Sequence, residues 1–346
     1  MSFARTARTT AAALVLGAAA ALPAAAENLV LTYTSYIANT HPVNADAILP
    51  WAEEVAKVTE GRVRIEALPK MVGTAPAQHD VIAEGLADVA WFTPGYTPGR
   101  FAALELAELP FIADDPEVGA IAMQRWFEKY FADGKVFKEV HPLAIMTTSA
   151  GTMMSKKPVS TVEDLKGLKV RSPLPITLGM LNTIGAVPVQ KPGNEAYELL
   201  AAGTLDASLS GAEQAVTFKL GEVTKQMLMV PGGFYNSVCG VIINKDKWAQ
   251  ISEADRAAIT AISGEKLSRA IGKSFLGPIE EAKTMMSEGG RSVDIASDEM
   301  VAELKTAWAG VEAEIIAKAE ASGVQDAAAL LADLRAMVAE VQKEIR

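Results

Sequence analysis

From Asn28 onward the chain alternates short β-forming runs with helix-forming stretches, and it passes through that alternation twice. Residues 29–33 and 63–67 are strand-like, helices are expected over 43–59, ending near Gly61, and over 75–83, and a third strand over 88–92. The rhythm restarts after Gly151, with strands at 168–171, 186–189 and 205–209 separated by helices at 176–184 and 194–202. Strands separated by helices cannot be joined as hairpins, so each series folds as crossover units on a parallel sheet. Two series in one chain imply an α/β protein of two lobes.

Later segments bear on how the lobes are joined. Residues 225–245 are extended and broken by Pro231-Gly232-Gly233, which suits a chain crossing from one lobe to the other. Ser252-Glu253-Ala254-Asp255 resembles a capping box. It would open a long helix with Ile259, Ile262, Leu267, Ile271 and Phe275 facing inward. Further helices are expected over 298–321 and from Asp326 to the end. The expected division is lobe I at 27–150 plus roughly 237–277, and lobe II at 151–236 plus roughly 278–346.

The chain has 346 residues, enough for two sizeable cores, and a single cysteine, Cys239, which excludes a disulfide framework and a CxxC redox pair. Cys239 sits in the apolar run 237–243 and is read as a buried strand residue. With 32 Lys and Arg against 42 Asp and Glu the net charge is −10, which argues against nucleic acid or an anionic membrane as the main partner. The mean hydropathy of +0.18 owes part of its height to the N-terminus. There, Arg5 and Arg8 precede the apolar run 11–22 and the small residues Ala24-Ala25-Ala26, the order of a secretory signal peptide with cleavage after Ala26. A membrane anchor is the competing reading, but so short a run cannot span the ~20 residues that a bilayer core requires.

Enzyme motifs are missing: there is no HExxH, GxSxG, P-loop, or GxGxxG following a strand. His41 and His141 each precede a proline, His79 lies beside Asp80, and the pairs Asp114-Asp115 and Glu280-Glu281 read as solvated faces. No cofactor or metal is expected. Ligands of open α/β sheets bind at the carboxyl ends of the strands. Those ends supply Tyr36, then Trp91, Phe92 and Thr93, then Arg171 and Ser172, then Ser210 and Gly211. Aromatic rings around one Arg suit a small anion, because the guanidinium offers a planar, permanently charged fork to an acid group. Arg171 ends an alternating strand and is followed by the stiff Ser172-Pro173-Leu174-Pro175; a surface or interlobe ion pair is the alternative role for it.

The run Glu163-Asp164-Leu165-Lys166-Gly167-Leu168-Lys169-Val170-Arg171 resembles the DLKGLKxR segment of the DctP family, the solute-binding proteins of TRAP transporters. Tyr96-Thr97-Pro98-Gly99-Arg100-Phe101 with Glu108-Leu109-Pro110-Phe111, Gly185-Ala186-Val187-Pro188-Val189, Glu195-Ala196-Tyr197, Gly203-Thr204-Leu205-Asp206 and Asn244-Lys245-Asp246-Lys247-Trp248 are similar to further family stretches, in the family's order. The resemblance implies a two-lobed periplasmic-binding-protein fold of type II character, joined by crossing strands and a long helix. It implies a periplasmic receptor, expected to be a monomer and not membrane-inserted. Such a receptor catalyses no reaction and delivers a small organic acid to small and large TRAP membrane subunits. The family's Arg in that segment binds the ligand carboxylate, and Arg171 stands there.

Departures bear on the ligand. Relatives that bind sugar acids carry a second Arg upstream, which would fall near Ala150-Gly151, and none is present. Gly193 stands where some members place an aromatic, and Ser210 where some place an Asn. The expected binding set is Arg171, Trp91, Phe92, Tyr36, Ser172, Ser210, Phe234 and Asn236. The ligand class is a carboxylate, 2-oxoacid or sulfonate. An ABC-importer receptor and a TRAP receptor for an amine or other partly apolar ligand are the alternatives, and Arg171 opposes an amine.

Overall fold

The computed structural model describes residues 28–132 and 134–346. The signal peptide expected over 1–26, with its cleavage point, lies outside the described residues.

The first series forms β1 (Leu29–Thr34), a helix that is π-wound over Val43–Ile48 and continues as α1 (Leu49–Val58), β2 (Val63–Ala67), α2 (Gln78–Ala83) and β3 (Val89–Phe92). Alternation in β1 buries Leu31 and Tyr33 in a core with Trp51 and Val55 of α1. Gly61, at φ +81°, takes the chain from α1 into β2. β1 pairs in parallel with β2 on one side and β3 on the other.

Two elements without a counterpart in the sequence reading follow: α3 (Pro116–Phe131) and the sixteen-residue β4 (Val140–Ser155). Asp115 caps α3 by accepting from the amides of Glu117 and Val118, with Pro116 in the first helical position.

The second series comprises β5 (Lys169–Ser172), α4 (Pro175–Thr183), β6 (Val187–Gln190), α5 (Ala196–Ala201), β7 (Ala207–Gly211), the short α6 (Gln214–Thr217) and α7 (Leu220–Val223), and β8 (Gln226–Met229). β5 is parallel to both β6 and β7. The return strand β9 (Asn236–Asn244) leads to α8 (Lys245–Gln250), α9 (Glu253–Ile262), α10 (Glu265–Ser274), α11 (Leu276–Met286), β10 (Ser292–Ile295), α12 (Asp298–Ala321) and α13 (Ala327–Ile345).

The sheet path is β2-β1-β3-β9-β4-β7-β5-β6, with β8 on β4 and β10 on β8. Its outer portions are parallel, as crossover units require. Its centre is antiparallel, because β4 and β9 are the strands that cross between lobes. β4 pairs with β9 as far as Ala150 and with β7 and β8 from Gly151 onward, so one strand belongs to both lobes.

The single helix expected from Ser252 through Phe275 is broken. Ser252 does cap α9, accepting from the Asp255 amide, but the chain leaves the helix at Ser263 and Gly264. Gly264 sits at φ +53° and its N–H donates to the Leu143 carbonyl, while Ser263 Oγ accepts from Trp51 Nε1. Helical periodicity survives the break, since Ile259, Leu267, Ile271 and Phe275 are all buried; periodicity alone could not reveal it. The crossing helix is the pair α10–α11, bent at Phe275: α10 packs on α3, and α11 on α6 and α7.

The C-terminal helices strap both lobes. Trp308 of α12 donates from Nε1 to the Met180 carbonyl of α4. The final helix, expected with lobe II, packs along α3 instead: Trp126 Nε1 donates to the Leu330 carbonyl at 2.8 Å and Tyr130 to Asp333 at 2.9 Å. A continuous apolar core runs from Ile82, Phe92 and Trp126 through Phe234 to Leu174 and Trp308. Each such side chain contributes about 1.5–3 kcal/mol by burial.

Candidate functional site

Arg171 is the penultimate residue of β5, with 1 % of its surface exposed. Its fork is held by the neighbouring chain on both sides: Nε donates to the Lys191 carbonyl and Nη1 to the Leu209 carbonyl, each at 2.7 Å. These carbonyls orient the guanidinium but do not neutralise it. Among the described residues no carboxylate lies within ion-pairing distance of it. A buried cation without a counter-ion is costly, and an incoming anion removes that cost.

Arg171 opens into a cavity of about 540 Å³ counted out to its mouth. Seven aromatic rings line it, with Thr93, Thr148, Glu213, Gln214 and Ser237 among their polar neighbours. From the first lobe come Tyr36, His41, Trp91 and Tyr96; from the second, Phe218; from the crossing segments, Tyr235 and Phe275. Trp91 Nε1 donates to the Tyr36 hydroxyl at 3.0 Å, which lies 2.6 Å from Thr93 Oγ1, and the Tyr36 and Tyr96 rings are 5.7 Å apart. The Gly193 N–H donates across the lobes to the Tyr96 hydroxyl at 3.2 Å. His41 and Phe218 face each other at 5.9 Å. Tyr235 lies flat against Gly151, where even a Cβ would stand 2.2 Å from its ring. The region where a second Arg would fall is thus filled by a tyrosine ring.

Burial dominates the electrostatics of the lining. It raises the Tyr36, Tyr96 and Tyr235 hydroxyls, with Arg171 pulling the last two the other way. It pushes the Cys239 thiol up to about 12, so the thiol is protonated and not a nucleophile. His41 is lowered to about 4 by the same cause, so its imidazole is neutral. Glu213 is raised by burial, against hydrogen bonds from Ser149, its own amide and Gln214.

Of the residues expected at the site, Tyr36, Trp91 and Arg171 line this cavity. Phe92 does not: it is the next residue along β3 from Trp91, faces the opposite side, and packs 5.9 Å from Phe101 and 5.7 Å from Phe137. Phe234 likewise packs against Trp308 in the core, while its neighbour Tyr235 takes the cavity wall. Ser172 turns away from Arg171 to the start of α4, where Oγ lies 2.5 Å from Thr177 Oγ1 and donates to the Leu174 carbonyl. Ser210 is buried within β7 against Ser208 Oγ at 2.8 Å. Asn236 braces the main chain of Ala113 through both ends of its amide. Most of these departures are one-residue offsets, since the strand end was located but not the face. Tyr96, Gly193, Glu213, Gln214 and Phe218 lie in the lining without having been singled out as contacts. Tyr96 heads a stretch already noted for its pattern; the others sit on short turns with no periodicity to expose them.

The chain is similar to a TRAP periplasmic solute-binding protein of Bordetella bronchiseptica, solved with bound (R)- and (S)-mandelate. It is 33 % identical with a TM-score of 0.86, over 90 % of this chain and 99 % of that one. A TRAP solute-binding protein of Rhodoferax ferrireducens in complex with copurified benzoate is 27 % identical, with a TM-score of 0.85 over 92 % and 100 %. The outer membrane transporter protein TsaT of Comamonas testosteroni is 29 % identical over 90 % of this chain and 93 % of its own. Residues 33–319 match the model of the bacterial extracellular solute-binding proteins, family 7, and with the two-lobed fold and the Arg171 site the chain belongs to that family, the DctP proteins of TRAP transporters.

Proposed function

We propose that this protein is a periplasmic receptor, acting as a monomer, that captures a small monocyclic aromatic acid between its lobes and delivers it to small and large TRAP membrane subunits. The observation that carries the reading is a buried Arg171, free of any carboxylate partner among the described residues, in a cavity that seven aromatic rings help to wall. The guanidinium takes the acid group, and the rings take an aromatic body by edge and face contacts. Seating Tyr235 on Gly151 leaves one cationic fork rather than two, which suits a monoanion. The mandelate and benzoate bound by the Bordetella and Rhodoferax proteins support the same chemistry.

Capture follows from where the contacts originate. Tyr36, Trp91 and Tyr96 belong to one lobe and Arg171 and Phe218 to the other, so the ligand touches all of them only when the lobes are together. Only contacts that differ between open and closed forms can shift that equilibrium. Excluding water then strengthens the ion pair. The Cys239 thiol in the lining is protonated and is not a nucleophile. Among the described residues no helix is long and apolar enough to cross a membrane, so passage of the ligand across it falls to the membrane subunits.

Calorimetric titration of the chain beginning at Glu27 tests this. Benzoate and phenylacetate are expected to bind at least 100-fold more tightly than acetate, pyruvate, a hexuronate or an aromatic amine. Preference for any of the latter would overturn it.

A further inference from the structure

We infer that the ligand carries a hydroxyl close to its acid group and that the side-chain amide of Gln214 selects for it. The inference rests on the aromatic-acid reading. Gln214 opens α6 beside the buried Glu213. The Glu213 carboxyl accepts from Ser149 Oγ at 2.5 Å. Gln214 Oε1 is fully buried and has no hydrogen-bond partner among the described residues.

That oxygen borders the same cavity as Arg171. The reason is Gly193: a Cβ there would stand 3.6 Å from Gln214 Oε1, 3.6 Å from Arg171 Nη2 and 3.1 Å from the Phe218 ring edge. A donor that seeks an anion and an acceptor that seeks a donor thus stand 3.6 Å from one point of the cavity wall, tight against an aromatic edge. Other buried side-chain acceptors without partners, on Gln78, Glu108, Thr147 and Thr217, do not line this cavity.

A carboxylate on Arg171 places its α-carbon substituent next to Oε1, and an O–H there donates to it. A hydroxyl at the far end of the ring does not reach. Sites built to receive a ligand hydroxyl reject the analogue lacking it, because the buried acceptor then stays unpaired. Gln214 is accordingly a specificity-determining residue for 2-hydroxy aryl acids.

The test is titration of the chain beginning at Glu27 with phenylacetate, 2-hydroxy-2-phenylacetate and 4-hydroxyphenylacetate, in the wild type and in Gln214→Leu. The wild type is expected to bind the 2-hydroxy acid at least tenfold more tightly than phenylacetate and to gain nothing from the 4-hydroxyl. Gln214→Leu is expected to erase the gap by weakening the 2-hydroxy acid while phenylacetate is retained. Equal binding of phenylacetate and its 2-hydroxy derivative by the wild type overturns the inference without any variant. So does a gap that persists in a folded Gln214→Leu protein, or a gain from the 4-hydroxyl alone. If none of the three acids binds, the aromatic-acid reading falls and takes this inference with it, a result distinct from equal binding.

Discussion

Replacing Arg171 by Met tests the site at its centre, because Met keeps the length and apolar bulk of the side chain while removing the charge and the fork. In the free protein two effects oppose each other. The Lys191 and Leu209 carbonyls lose their donors, at about 1–3 kcal/mol for each buried acceptor left unpaired. Against this, a desolvated cation with no carboxylate partner is removed, and replacing buried charge by packed apolar atoms is often neutral or favourable by about 1–4 kcal/mol. The free variant is therefore expected to unfold within a few degrees of the wild type. Binding has no such offset. A charge-assisted fork to a carboxylate supplies two bonds of about 1.5–3 kcal/mol each; counted as a buried pair broken on one side, the same loss is about 3–5 kcal/mol. Affinity should fall roughly 100- to 5,000-fold. Calorimetry gives the dissociation constant, and thermal denaturation with and without ligand checks the fold and the loss of linkage stabilisation. An Arg171→Met protein that is folded and binds aromatic acids within tenfold of the wild type would refute the assignment of the acid group to Arg171.

Other perturbations follow from the same geometry. Gly151→Ala drives a methyl to 2.2 Å from the Tyr235 ring; it should cost about 1–3 kcal/mol by overpacking and abolish tight binding by pushing that ring into the cavity, and an unchanged melting point with intact affinity would contradict the packing. The imidazole of His41, lowered to about 4 from 6.5 by burial, is neutral in the fold while the unfolded chain takes up a proton below 6.5, so stability is lost as pH falls from 6.5 towards 4. The loss is roughly 3 kcal/mol, and denaturant titrations of His41→Asn should show a flatter dependence over that interval. Glu213 has the opposite sign: its folded-state carboxyl is raised by burial, so its contribution is present at low pH and lost as pH rises through that raised value. Anion affinity should weaken over the same alkaline-going interval, and Glu213→Gln should bind with a dissociation constant independent of pH there; an unaltered pH profile would count against it.

Much of the fold was legible because its signals are local. β-forming runs marked β1, β2, β3 and β5, helical period and turn glycines marked the helices between them, and Ser252 marked the start of α9. The break at Ser263 and Gly264 was invisible because buried residues keep helical spacing on both sides of it. The long strand β4 was missed because its two halves answer to different partners, and no single periodicity describes it.

For the site, the sequence by itself determined that the chain would be a two-lobed α/β protein with Arg171 at a strand end and aromatics nearby, since those are properties of neighbours along the chain. It could not decide which of Trp91 and Phe92, or of Phe234 and Tyr235, faces the ligand. Successive strand residues point to opposite sides of a sheet, and the side that becomes cavity depends on what packs over it. Nor could it place Gly193, Gln214 and Tyr96 beside Arg171, because the space they share is bounded by residues from both lobes. Only tertiary structure turned a cation at a strand end into a buried fork without a counter-ion, because burial and the absence of a partner are properties of the whole surroundings rather than of the residue.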